Sequence, residues 1–191
     1  MKRFFTILLS CFLACVTLVG FTACNNSGDS QDVPRVPSKG LKYELNEEET
    51  GYILVGKGSC GDKNVVIPET YNNLPVVAIG EKAFYNDLSL TGVDISNSVI
   101  DIGSEAFRAC TIITSISLGS GVKRIGYRAF SSCDSLESII IPISVETMGE
   151  CVFTSDAKLK DIYYAGASTP KGWGSSWKYD CPAVVHYNYG K

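Results

Sequence analysis

The sequence predicts an α/β solenoid, mainly β: a short right-handed stack of about five 23-residue coils with parallel strands and one-turn helices. Two observations carry this. Ile79-Gly80-Glu81-Lys82-Ala83-Phe84 recurs as Ile102-Gly103-Ser104-Glu105-Ala106-Phe107, as Ile125-Gly126-Tyr127-Arg128-Ala129-Phe130 and as Met148-Gly149-Glu150-Cys151-Val152-Phe153. The four phenylalanines, at 84, 107, 130 and 153, are spaced by 23 each time. After each comes a second shared pattern: Leu90, Ile113, Leu136 and Leu159 in one column, Val93, Ile116, Ile139 and Ile162 in the next, then Ile95, Leu118, Ile141 and Tyr164. A fixed internal period of this length is the signature of a repeat architecture.

Each part of the period has a structural reading. The L-x-x-I-x-I spacing sends alternate side chains of a short strand to one face. The Ile-Gly-x-x-Ala-Phe part reads as a tight corner followed by about one helical turn. One coil buries too little apolar surface to offset the ~1–2 kcal/mol per residue lost in ordering its backbone, so the repeat exists only as a stack. The ends of a stack need covering. Residues 41–78 read as an N-terminal cap and divergent first repeat, with Leu41 to Val55 as a strand or hairpin and Glu44, Glu47, Glu48 and Glu49 keeping that edge soluble. Residues 79–165 hold the regular repeats. Residues 166–191 break the period and concentrate Trp173, Trp177, Tyr179, Tyr187 and Tyr189, as a C-terminal cap would.

The pattern I-G-x-x-A-F-x-x-C-x-x-L-x-x-I-x-[IL]-[PG] resembles the BspA-like leucine-rich repeats of bacterial surface proteins. The resemblance covers about residues 41–165, including Asn64-Val65-Val66-Ile67-Pro68 and Tyr71 to Ile79 as a divergent first repeat. The column that commonly holds a carbonyl-bonding Asn holds Ser98, Gly121 and Ser144, and a glycine there predicts a looser corner. The resemblance implies a non-catalytic role at the cell surface: binding to proteins, other cells or glycans.

The first residues read as an address. Lys2 and Arg3 form a basic start, Phe4 to Ala23 carries no charge, and Phe21-Thr22-Ala23-Cys24 is followed at once by a polar run. A charged start, an apolar stretch and small residues before a cut describe a secretory signal over residues 1–23. Small residues before a cysteine resemble a bacterial lipobox, which implies acylation of Cys24 and a membrane-anchored, extracytoplasmic lipoprotein. Phe21 departs from the usual Leu, and Cys15 is a second, weaker acceptor. The alternative is an uncleaved helix, since 20 uncharged residues can span a bilayer core of roughly 30 Å. Residues 24–40 then form the lipidated end and a flexible tether, whose ~16 residues reach about 20–25 Å as a coil.

Composition excludes several activities. The chain has 191 residues, 45% of them hydrophobic, and a formal charge of −3 from 17 basic and 20 acidic side chains. Nothing clusters Lys and Arg as phosphate binding requires, so nucleic acid is not an expected partner. One histidine and scattered cysteines give no metal-ligand spacing, no cofactor is expected, and no carboxylate pair recurs at a fixed place as glycoside hydrolysis would need. Gly56-Lys57-Gly58-Ser59-Cys60-Gly61 matches G-x-G-x-x-G, but the strand-like Asn64 to Ile67 follows it where a phosphate-facing helix is required, so it reads as a hairpin loop.

Four further features remain open. Cys110 and Cys133 share a column about one strand spacing apart, within disulfide reach, yet buried cysteine commonly serves as a small apolar residue. Cys151 falls in the column of Lys82, Glu105 and Arg128, so it should face solvent, and a Cys151–Cys181 disulfide would pin the C-terminal cap. His186 lies in the alternating strand Val184 to Tyr187. It reads as structural, the rival being a hydrolase that pairs His186 with Cys151 or a serine. The outward strand columns are Gly92, Ser115, Ser138, Asp161 and Asp94, Ser117, Ile140, Tyr163. Toward their C-terminal end, Tyr163, Trp173, Trp177 and Tyr179 either form a stacking platform for a sugar or a protein hot spot, or close the end of the core.

Overall fold

The computed structural model describes residues 36–190. Cys24, Cys15 and the signal-like segment lie outside the described residues. The N-terminal elements are β1 (Lys42–Leu45), β2 (Tyr52–Gly56), β3 (Asn64–Val66), β4 (Thr70–Tyr71) and β5 (Leu74–Ile79). Strands β6 (Gly92–Asp94), β8 (Ser115–Ser117), β10 (Ser138–Ile141), β12 (Asp161–Tyr164) and β13 (Val184–His186) carry the L-x-x-I-x-I side of successive coils. Between them fall the two-residue strands β7 (Asp101–Ile102), β9 (Arg124–Ile125) and β11 (Thr147–Met148). The result is a β-solenoid. One long sheet runs β1-β2-β5-β7-β9-β11 with β4 on the side of β5, and the other side of the stack carries two three-stranded sheets, β3-β6-β8 and β10-β12-β13.

Register follows the repeat. Gly92 pairs with Ser115 and Val93 with Ile116, while Ser138 pairs with Asp161 and Ile139 with Ile162, all parallel. The phenylalanine column is a stacked ladder: centroid distances are 5.1 Å for Phe84–Phe107, 5.6 Å for Phe107–Phe130 and 5.7 Å for Phe130–Phe153. Offset-stacked aromatic pairs add about 0.5–1.5 kcal/mol beyond the area they bury, so the ladder helps hold successive coils together. Ile79, Ile102, Ile125 and Met148 line the opposite wall of the same core.

The corner is not a helical turn. No helix is present among the described residues, so none is long and apolar enough to cross a membrane. Lys82, Glu105, Arg128 and Cys151 have φ between 52° and 57°, and Asn86, Ala109, Ser132 and Ser155 are left-handed as well. These flips turn alternate N–H groups along the stack. Lys82, Phe84 and Asn86 donate to the carbonyls of Ser104, Ala106 and Arg108, and Glu105, Phe107 and Ala109 repeat the pattern one coil on. A single helical turn would leave its first N–H groups without a partner inside the coil. Here they tie coils together, which is the better use where one coil has no stability of its own.

The corner glycine has a steric cause. A Cβ on Gly103 would lie 2.7 Å from the Glu81 nitrogen, and one on Gly126 would lie 2.5 Å from the Ser104 nitrogen. The serines at the next corner work as expected: Ser98 Oγ donates to the Val76 carbonyl at 2.9 Å, and Ser144 Oγ to that of Val122 at 2.7 Å. Gly121 is not loose, however. A Cβ there would sit 1.9 Å from the Asn97 carbonyl oxygen, so the absent side chain permits a close backbone approach.

Both ends of the solenoid differ from the expected arrangement. β1 and β2 form an antiparallel hairpin, but β2 and β3 belong to different sheets. The Gly56 to Gly61 loop is therefore a solenoid corner rather than a hairpin loop, with the Ser59 N–H bonded to the Gly40 carbonyl at 2.9 Å. At the other end, residues 166–190 make a further coil, bringing the stack to about six rather than five. Trp173 bridges Met148, the Phe153 N–H reaches the Trp177 carbonyl, and Val185 pairs with Ile162.

A candidate recognition surface

The outward columns of the strand side are extended by β13. In full they read Asn64, Gly92, Ser115, Ser138, Asp161, Val184 and Val66, Asp94, Ser117, Ile140, Tyr163, His186. Strand alternation explains the division: Val93, Ile116, Ile139 and Ile162 point inward and are buried, while Ser115, Ser117, Ser138 and Ile140 are exposed. The face changes along the stack. Its middle is small and hydroxylated; its C-terminal end is aromatic.

That end is a connected cluster. The Tyr163 and His186 rings stack at 4.8 Å with 21° between planes, and Tyr189 tilts against Tyr163 at 4.7 Å. His186 Nε2 hydrogen-bonds Asp161 Oδ1 at 2.7 Å, a contact between adjacent strands that fixes the imidazole while its side chain stays 42% exposed. Ile140, 52% exposed, precedes Tyr163 in the same column. The cluster therefore combines a fixed carboxylate, three rings and an exposed aliphatic side chain.

The four aromatic residues singled out from the sequence do not share one surface. Trp173 and Trp177 are buried, only 6% and 7% exposed. Trp177 meets Phe153 edge-on at 6.0 Å and so finishes the phenylalanine ladder. Trp173 packs on Trp177 at 5.0 Å and on Tyr164 at 5.1 Å, and its indole N–H donates to the Val145 carbonyl at 3.2 Å. Both tryptophans therefore close the core and are not available as a platform. Tyr179 is 66% exposed but lies on the corner side, where its carbonyl accepts from Thr154 Oγ1 at 2.9 Å. Tyr163 alone of the four lies on the strand face. His186 and Tyr189 join it there, and their signal was the alternation of β13 in register with β12, hidden by the broken period before it.

The cysteines separate by column. Cys110 and Cys133 are free and buried. Their thiols donate to the Phe84 and Phe107 carbonyls at 3.1 and 3.4 Å, and burial pushes the Cys110 thiol up to about 12. Cys151 and Cys181 are also unbonded. The Cys151 N–H bonds the Ser176 carbonyl, whereas Cys181 follows Asp180, whose carbonyl accepts from Ser155. The two thiols therefore stand in different columns. Cys151 lies on the corner, away from the strand that carries His186, so the structure does not assemble that pair as nucleophile and base.

Asp156 escaped the sequence reading. It occupies the Cys110–Cys133 column, three residues after Phe153, and is fully buried. Its Oδ1 accepts from the Cys133 N–H at 2.7 Å, while Oδ2 has no partner. Burial raises its carboxyl to about 8; the neighbouring Asp134 acts in the same direction, and backbone donors only partly oppose this. Among the described residues no group of three or more His, Cys, Asp or Glu is placed to hold a metal ion.

A family profile described as the BspA type leucine-rich repeat region, in six copies, matches residues 77–172. Among solved structures, a leucine-rich repeat protein of T. pallidum is 32% identical with a TM-score of 0.63; the match covers 78% of this chain and 64% of that protein. A leucine-rich repeat protein of Bacteroides capillosus is 30% identical over 68% of this chain and 96% of that one, with a TM-score of 0.58. A leucine rich cell surface protein of Faecalibacterium prausnitzii shares the fold at 20% identity and a TM-score of 0.51, over 83% of this chain and 56% of that one. No curated protein matches. The chain belongs to the BspA-type leucine-rich repeat family.

Proposed function

We propose that this chain is a non-catalytic, surface-exposed lipoprotein whose solenoid binds an extracellular protein through the aromatic end of its strand face. The observation that carries the reading is the Asp161–His186–Tyr163–Tyr189 cluster beside exposed Ile140. Binding energy at protein interfaces concentrates in a few aromatic and apolar anchors. Rings already held by packing and a hydrogen bond lose little freedom when a partner arrives. Support for the location comes from the lipobox-like run ending at Cys24 and from the cell-surface description of the Faecalibacterium relative. Leucine-rich repeat folds commonly serve protein binding, which supports the choice of partner class.

The test is direct binding of the full chain to purified extracellular-matrix and bacterial surface proteins. The expected outcome is saturable binding to at least one of them, lost at least tenfold in Tyr163→Ala while the melting transition is retained. Binding that survives Tyr163→Ala and Ile140→Asp together would place the contact elsewhere. Radiolabelled palmitate incorporation in the wild type, abolished in Cys24→Ser, is the outcome expected for the anchor. Label retained in Cys24→Ser but lost in Cys15→Ser would move the acceptor.

A further inference from the structure

Among the described residues, the strand side of the solenoid is interrupted at one step. Along one flank of the strands, the Thr91 N–H donates to the Lys63 carbonyl, Thr114 to Thr91, Lys160 to Glu137 and Val184 to Lys160. No corresponding bond joins Glu137 to Thr114. Along the other flank, Ile67 donates to Asp94 and Ile95 to Ser117, and the series stops before Leu118 and Ile140. Both series thus skip the step between β8 and β10, which is where the strand side divides into two sheets. A groove of about 470 Å³ opens at that seam, lined by Thr114, Ser115, Ser117, Ser138, Ile140 and Pro142 among others, none of them charged.

We propose that this seam is a binding site for a neutral hexopyranose, one uncharged ring of a larger glycan. The inference goes beyond the protein-binding reading and does not depend on it. The groove volume falls within the usual range for small-ligand sites, roughly 300–1,000 Å³. Its chemistry is that of a polyol partner. Four serine hydroxyls and one threonine hydroxyl line it beside main-chain groups that the sheet leaves out of its ladder, the Thr114 hydroxyl donating to the Thr91 carbonyl and that of Ser120 to Asn97 Oδ1. Thr114, Glu137 and Ile140 at those edges are exposed, so a sugar hydroxyl can reach their main-chain groups, donating to one and accepting from the next. Ile140 and Pro142 offer an apolar wall for the C–H face of the ring. A charged ligand would lose its hydration and meet no opposite charge among the lining residues.

The geometry also excludes an inserted peptide strand. Parallel neighbours lie about 4.8 Å apart, and an added strand would require roughly twice that spacing. The other side of the stack prevents it: β9 pairs with both β7 and β11, and Phe107 and Phe130 are held at 5.6 Å. The Asp101–Arg124 ion pair clamps the same coils. The seam can therefore admit small groups between its edges but cannot separate by a strand's width.

Saturation-transfer NMR and calorimetry on the full chain, with the methyl glycosides of glucose, galactose and mannose, test the proposal. Methyl glucuronide serves as the charged control. The expected result is saturable, millimolar binding of at least one neutral glycoside and little binding of the glucuronide. Ser138→Tyr, which fills the groove from an exposed position, should weaken that binding at least tenfold with the melting temperature kept. Ser117→Tyr fills it from the facing strand if Ser138→Tyr does not fold. No neutral glycoside bound, equal binding of the glucuronide, or undiminished binding in a folded, filled variant would overturn the proposal. Each of these readouts uses free sugar, so its failure is separate from a failure to bind protein.

Discussion

The central coils and the last coil solve the same packing problem with different side chains. In the coils ending at Phe107 and Phe130, a phenylalanine stacks on its predecessor at 5.1 and 5.6 Å, and three residues later a cysteine thiol donates to the phenylalanine carbonyl of the preceding coil. At the C-terminal end, Trp177 turns edge-on to Phe153 and Asp156 stands in the cysteine column. A middle coil has a neighbour on both sides and can repeat indefinitely. A final coil must stop the stack, so it needs larger rings that cover more area and no longer offer a flat face to a successor. Capping here is achieved in the aromatic column of the last coil, while Asp156 changes the cysteine column one coil earlier.

The greatest losses of stability are expected from truncating the ring ladder in the core. Phe107→Ala and Trp177→Ala each remove a large buried ring, and losses of about 3–5 kcal/mol are typical of such changes. Stability in a solenoid is close to a sum of coils and nearest-neighbour contacts. Phe107→Ala should therefore lower the main melting transition. Trp177→Ala should instead accelerate amide hydrogen exchange in residues 166–190 first, leaving the central coils protected. Equal loss of protection throughout in Trp177→Ala would show that the last coil is part of the nucleus rather than its cover.

A second effect is specific to the aspartate. An unfolded carboxyl titrates near ~4, and burial places Asp156 at about 8 in the folded chain. The contribution of this group to stability is fully present below the unfolded value. It declines as pH rises and is lost once pH passes the folded value, at most by about 1.4 kcal/mol per pH unit. Chemical denaturation of wild type and Asp156→Asn across that window checks the sign. The variant keeps an oxygen for the Cys133 N–H, so it should be flatter with pH and more stable than wild type at the alkaline end. Parallel pH curves for the two proteins would remove Asp156 as the cause.

Smaller effects separate surface from core at the same end. Tyr163→Ala should cost under about 1 kcal/mol of stability, as is usual for partly exposed positions, while removing partner binding. The thiols should divide by burial. Cys151 should react with a maleimide in the native chain, Cys181 more slowly because partial burial raises its thiol too, and Cys110 and Cys133 only after denaturant, since burial holds their thiols protonated. Fast native labelling of Cys133 would mean that the coils open far more readily than their packing implies.

The repeat was legible because each column serves one physical purpose in every coil: Phe for the ladder, Gly where the neighbouring backbone leaves no room for a Cβ, Ile and Leu for the strand interior. What escaped had other causes. The last coil was obscured because Trp173 and Trp177 replace an Ile-type and a Phe-type residue, and because their spacings from Met148 and Phe153 are 25 and 24 residues rather than 23. The corner read as a helical turn because composition does not record left-handed backbone at Lys82, Glu105, Arg128 and Cys151. On the strand face, the outward position of Tyr163 followed from alternation. The Asp161–His186 bond required the register of β13, and the open seam beside Ser138 required the hydrogen bonds themselves.

Crosslinking with residue-level readout is the most direct test of the claim that the strand face recognises a partner. A photo-reactive amino acid would be placed in turn at Ser117, Ile140 and Tyr163 on that face, and at Tyr85 and Tyr127 on the corner side, and each chain exposed to a purified surface-protein ligand. Crosslinks are expected from the strand-face positions, strongest at Ile140 and Tyr163, and none from the corner. Crosslinks from Tyr85 or Tyr127 with a silent strand face would contradict the claim.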